Sequence, residues 1–141
     1  MEDLGQDSNA SSSVVPTLAA LLVCDVAVED PSSGKKSLIG IFNRISVGRF
    51  PTKRPMTLYI KLTEAEGDYK IEARYVQVMS QKELAKAEGK LKVTNRATSP
   101  DVYLKFPPLL IPTEGQYEFQ IWANSIFLGS TAIDAVQRSE A

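Results

Sequence analysis

Four sets of residues in this 141-residue chain have the types needed for chemistry: Cys24, the pair Glu64 and Glu66, the basic run Arg49-Phe50-Pro51-Thr52-Lys53-Arg54, and the carboxylates Glu29, Asp30, Glu64, Glu66 and Asp68. The chain has one cysteine and no histidine. A thiol nucleophile therefore has no imidazole to activate it, and neither a Ser-His-Asp nor a Cys-His site can be assembled from this chain alone. One thiol also excludes an internal disulfide and a multi-thiolate metal site. Cys24, in Leu21-Leu22-Val23-Cys24, falls mid-strand on an apolar face, where burial raises a thiol pKa. Glu64-Ala65-Glu66-Gly67 has the composition of an exposed turn, so its carboxylates read as solvating charges rather than an acid–base pair. No Gly-rich phosphate loop occurs. The expectation is a non-enzymatic chain with no catalytic residue, no cofactor and no metal site.

Binding is the remaining class. Arg49, Lys53 and Arg54 are the ligand-binding candidates, suited to a phosphate or an acidic peptide. If successive strands alternate in direction, these three gather with Lys82 at one end of the domain, and Glu29, Asp30, Glu64, Glu66 and Asp68 at the other. The acidic end suggests an alternative, a Ca²⁺-dependent module that meets a membrane or ligand, since calcium takes six to eight oxygens. Against it, no Asp-x-Asp loop appears, and Lys35 and Lys36 sit beside the first carboxylates. A net charge of −1 and a pI near 5.5 provide no field for nucleic acid. Trp122, Tyr59 and Tyr103 fall out of phase with the apolar faces of their strands. The expected partner is therefore another protein or a second copy of the chain.

These residues need a scaffold, and the hydrophobic pattern describes one. Thr17–Glu29 and Ser37–Gly48 are apolar-rich arms about Asp30-Pro31-Ser32-Ser33-Gly34, which has the chemistry of a tight turn. They predict a long antiparallel hairpin. Arg49–Pro55, with two prolines, reads as a connection. Met56, Leu58, Ile60 and Leu62 alternate as a half-buried strand, and a slip of apolar phase near Tyr75–Val76 predicts a bulge. Ala85, Ala87, Gly89, Leu91 and Val93 take one strand face, and Lys86, Glu88, Lys90 and Lys92 take the other. Val102, Leu104 and Phe106 form a short strand that Pro107-Pro108 should stop. Tyr117, Phe119, Ile121 and Ala123 then lead through Asn124-Ser125 to a last strand, Phe127–Val136.

That makes seven or eight strands with frequent turns and no long helix, the signature of a sandwich or barrel, and an all-β antiparallel sandwich is the expected fold. Residues 1–15 are polar and predict a disordered tail, 16–137 form one domain, and 138–141 a second tail. The chain opens Met-Glu-Asp with no basic residue before Lys35, unlike a secretory signal. The apolar run Val14–Val28 is broken by Pro16 and Asp25 and is too short to span a bilayer. A cytoplasmic location without a membrane span is expected.

Gly115-Gln116-Tyr117-Glu118-Phe119 resembles the Gly-x-Tyr-x-Cys start of the penultimate strand in immunoglobulin-like domains. In that family the Tyr hydroxyl bonds back to upstream backbone. Phe119 replaces the cysteine, so the likeness concerns topology. From about Leu21 to Val136 the chain resembles a family of small bacterial β-sandwich proteins of uncharacterised function. The marks are Cys24-Asp25-Val26, Ser37-Leu38-Ile39-Gly40-Ile41-Phe42-Asn43-Arg44-Ile45, Phe50-Pro51 and the Gly115–Phe119 run. That resemblance implies a fold and a bacterial origin, and it carries no catalytic residues.

Overall fold

The computed structural model describes residues 13–139. Nine strands follow in order: β1 (Thr17–Glu29), β2 (Lys36–Ile41), β3 (Arg44–Val47), β4 (Thr52–Thr63), β5 (Gly67–Gln77), β6 (Lys82–Val93), β7 (Asp101–Ile111), β8 (Gly115–Ala123) and β9 (Ile126–Gln137). They build a sandwich of two sheets, ordered β2-β1-β4-β7 and β3-β9-β8-β5-β6. Among the described residues no helix is long and apolar enough to cross a membrane.

The period-two pattern decides which side chains meet between the sheets. Met56, Leu58, Ile60 and Leu62 of β4 are at most 1% exposed. They face Ile71, Ala73 and Tyr75 of β5 and Tyr117, Phe119 and Ile121 of β8 in one core. Each large apolar side chain so buried contributes about 1.5–3 kcal/mol. Rings of Tyr75 and Tyr117 stack with centroids 5.6 Å apart, and Phe119 lies 5.2 Å from Tyr75 and 5.4 Å from Phe106. The β5–β6 register shifts between Tyr75 and Val76, at the predicted bulge. Tyr117 Oη donates to Thr113 O at 2.6 Å and accepts from Thr113 N–H at 3.2 Å. This is the upstream backbone bond that the Gly-x-Tyr resemblance implies. Gly129 lets the sheets close at the β1–β9 side, because a Cβ there would lie 2.8 Å from Leu18 Cδ2.

Three expectations are corrected. Ser37–Gly48 is not one arm of a hairpin. β2 pairs antiparallel with β1, whereas β3 pairs in parallel with β9 in the other sheet. Phe42 and Asn43 make the crossing, with Phe42 N–H donating to Val23 O and Asn43 O accepting from Asp134 N–H. The crossing brings Ile45 and Val47 into the core and leaves Ile39 and Ile41 outside it. Pro107-Pro108 do not end β7, which continues to Ile111. β7 is an edge strand, where missing donors are tolerated. Thr52, Lys53 and Arg54 are not connection but the start of β4, paired with Ile111, Leu110 and Leu109. Residues 1–12 of the expected tail lie outside the described residues. Of the rest, Val14 N–H donates to Glu66 O at 2.9 Å.

A further departure concerns β1. It pairs with β4 over Thr17–Cys24 and with β2 over Cys24–Glu29, so Lys36, opposite Glu29, is at the far end of the hairpin. Yet Lys36 Nζ lies 2.8 Å from Asp101 Oδ1, and Asp101 is opposite Lys61, itself opposite Ala20. A straight strand would separate Ala20 from Glu29 by about 30 Å. β1 therefore bends after Cys24, and the hairpin folds back over the outer face of its own sheet. Burial agrees. Cys24 and its ladder partner Thr57 face away from the main core, yet are 0% and 4% exposed, and Ala27 of the hairpin is 3% exposed.

Candidate functional site

The folded-back hairpin has two faces of opposite character. Its inner face carries the latch: Lys36 Nζ sits 2.8 Å from Asp101 Oδ1 and 3.6 Å from Glu29 Oε1, while Tyr59 Oη donates to Asp101 Oδ2 at 2.6 Å. The Asp101 hydrogen bond raises the Lys36 pKa against the opposing effect of burial. Burial pushes the Asp101 carboxyl up, but hydrogen bonds from Lys36 and Tyr59 outweigh it and hold the group below its ordinary value. Burial, then the Asp101 bond and charge, push the Tyr59 phenol up to about 12.

The outer face is apolar and open. Val26, Val28, Ile39 and Ile41 are 44%, 47%, 57% and 56% exposed. Val26 is opposite Ile39 in the ladder, so these side chains form one patch. β2 is also a sheet edge with no charged residue from Ser37 to Ile41. The other edges are blunted. β7 carries Pro107 and Pro108, β6 carries lysines at 82, 86, 90 and 92, and β3 is four residues long. An edge without such devices is open to a partner. Sequence pattern missed this surface because Val26, Val28, Ile39 and Ile41 alternate as core residues do, and only the fold-back turns them outward.

The structure separates the basic candidates. Arg54 shares a face with its ladder partner Leu109, which is buried, and Lys53 with Leu110, which is exposed. The two side chains therefore leave β4 on opposite sides. Arg54 Nη2 reaches Ser46 O in the other sheet at 3.3 Å, where Arg138 Nη2 also donates at 3.4 Å. Arg49 is exposed in the turn between β3 and β4. Arg138, set in the polar C-terminal segment, had no pattern to single it out.

The acidic candidates have separate local duties. Asp30 accepts from Ser32 N–H and from the hydroxyls of Ser32 and Ser33 within its turn, which lowers its pKa. Glu29 faces Lys36, and Glu64 pairs with Arg96 at 3.2 Å. Among the described residues no three acidic, histidine or cysteine side chains are placed to hold a metal ion. Cys24 is buried at the point where β1 passes from β4 to β2, and its thiol pKa is raised by that burial and by the Asp25 charge. Trp122 is half-covered, with the Arg74 guanidinium 4.2 Å over its ring and Phe127 edge-on at 5.2 Å. Beside it Glu72, only 7% exposed, accepts from Arg74 at 3.2 Å. Burial pushes the Glu72 carboxyl up, but Arg74, Lys86 and Lys70 hold it below its ordinary value.

Comparison with known proteins adds the family. No curated protein matches the chain. A family model described as a family of unknown function, DUF6941, matches residues 19–136, from the second residue after the start of β1 to the penultimate residue of β9. The matched span includes the latched hairpin, both sheets and the Tyr117 corner, and the chain is a member of the DUF6941 family.

Proposed function

We propose that this protein is a non-catalytic interaction module whose working surface is the outer face of the β1–β2 hairpin, and that its partner there is a second copy of the chain. The observation that carries this reading is the patch of Val26, Val28, Ile39 and Ile41 on a hairpin held down by Lys36 and Asp101. Together these side chains expose on the order of 300–400 Å² of apolar surface, which matches the largest patch an ordinary monomer leaves uncovered. The nearby charges of Lys36 and Glu29 are taken up by each other and by Asp101. An apolar face that meets its own copy across a two-fold axis buries these side chains twice over. Pairing two such faces buries about 600–800 Å² of apolar surface, below the standard interface, so a weak dimer follows.

Sedimentation equilibrium on the full chain tests it. The wild type should show a concentration-dependent monomer–dimer equilibrium, and Ile39→Lys/Ile41→Lys should be monomeric with an unchanged far-UV spectrum. A wild type that stays monomeric to millimolar concentration would overturn the reading.

A further inference from the structure

On the outer face of the second sheet, charges are arranged in rows across the β5–β6 ladder: Asp68 opposite Lys92, Lys70 opposite Lys90, Glu72 opposite Glu88, and Arg74 opposite Lys86. Like charges directly opposite one another destabilise a sheet unless neighbours compensate. For most rows they do. Lys86 lies 3.5 Å from Glu72 and 3.4 Å from Glu88, Arg74 lies 3.2 Å from Glu72, and Lys70 lies 3.7 Å from Glu88. The compensation stops at one end. Lys90 and Lys92 form no ion pair among the described residues, although each has a charged neighbour across the ladder. Both are exposed.

That end of the ladder is concave. A cleft of about 560 Å³ is lined by Asp68, Lys70, Lys90, Lys92 and Asn124, together with Tyr69 and Leu91. Its volume is within the range of small-molecule sites. Asn124 is fixed there, its Oδ1 accepting from Lys70 N–H at 2.9 Å and its Nδ2 donating to Asp68 O at 3.1 Å. The wall is therefore a turn held by hydrogen bonds, and the exposed ammonium groups of Lys90 and Lys92 stand beside it. With Lys70 already paired to Glu88 and Glu72, Lys90 and Lys92 against Asp68 leave a local positive excess on a chain whose net charge is −1. Ammonium groups on flexible stems act as point charges and suit the multiply charged oxygens of phosphate.

We infer that this cleft is an oxyanion site for a compact phosphate-bearing ligand, with Lys90 and Lys92 as its principal contacts and Lys70 as a third. Asp68 opposes the ligand and so limits its affinity. The site is independent of the hairpin surface, and either can fail without the other.

The test is calorimetric titration of the full chain with inorganic pyrophosphate at low ionic strength, alongside amide chemical shifts and a parallel titration with citrate. The expected result is saturable 1:1 binding, with shifts at Lys70, Lys90, Lys92 and Asn124. Lys90→Gln/Lys92→Gln should weaken it at least tenfold, and Asp68→Asn should tighten it several-fold. Lys82→Gln/Lys105→Gln, exposed lysines elsewhere, should leave it unchanged. Absence of saturable binding at millimolar pyrophosphate overturns the inference, as does an equal loss in the control variant, which would mark diffuse attraction. Equal affinity for citrate overturns the assignment to phosphate.

Discussion

Lys36 and Asp101 stand 65 residues apart in the chain, and their charged groups meet at 2.8 Å. The contact joins the tip of the β1–β2 hairpin to the first residue of β7 on the opposite edge of the same sheet. It fixes the hairpin as a third layer over part of the sandwich, and it decides which of the hairpin's apolar residues face water. The Lys36 side chain is 11% exposed and that of Asp101 28%, so water only partly screens the pair.

Removing one partner should leave the other charge poorly solvated. Asp101→Asn is expected to cost about 1.5–3 kcal/mol, the range for a hydrogen bond to a charged group. In urea unfolding this appears as a lower midpoint with little change in slope. The double variant Lys36→Met/Asp101→Asn should lose less than the sum of the two single variants, because the residues are coupled. Strict additivity would show that the contact contributes nothing.

The same latch sets a pH window. The Asp101 pKa is lowered in the fold, so its contribution is complete above the unfolded value of about 3.9 and fades as pH falls from there through the folded value. The Tyr59 phenol is pushed up to about 12, so its contribution is complete below about 10 and is lost as pH rises through the folded value. Lys36, also raised, weakens the latch in the same alkaline direction. The stability difference between wild type and Asp101→Asn should be flat from about pH 5 to 9 and shrink on the acid side. A difference that persists undiminished at pH 2 would mean that the carboxylate's charge is not what holds the hairpin.

Cys24 reports on the hairpin directly. Its thiol is solvent-free, and its pKa is raised by burial and by Asp25. In the native protein a thiol reagent should react at least about 100-fold more slowly than in the unfolded chain, because both thiolate fraction and access are reduced. Asp101→Asn should accelerate that reaction without changing the far-UV spectrum, since a loosened hairpin frees the bend of β1 at which Cys24 sits. Equal rates in the two folded proteins would show that the latch does not govern access to the thiol.

Tyr117 pins the corner between β7 and β8 through two bonds to Thr113. Tyr117→Phe keeps the ring on Tyr75 and removes both bonds, and should cost about 1–2 kcal/mol in thermal or urea unfolding. A loss under a few tenths would show that water replaces the hydroxyl without penalty.

By itself, the sequence determined the parts governed by local periodicity. Alternation in Met56–Leu62, Tyr117–Ala123 and Ala85–Val93 specified strands and their inward faces, because side chains on a strand reverse side at every residue. The phase slip at Tyr75–Val76 located the bulge, and the missing histidine left no Ser-His-Asp or Cys-His site within this sequence. Tertiary structure decided what alternation cannot encode. An apolar face has the same pattern whether another layer covers it or not, so Ile45 and Ile41 look alike in sequence while one is in the core and the other in water. Long-range pairing also separated Lys53 from Arg54, brought Arg138 to Ser46, and left Lys90 and Lys92 at a cleft without an ion pair among the described residues. The physical reason is common to all three. Charge and burial depend on neighbours across the ladder and between layers, and those neighbours are chosen by the path of the backbone, which here turns back on itself after Cys24.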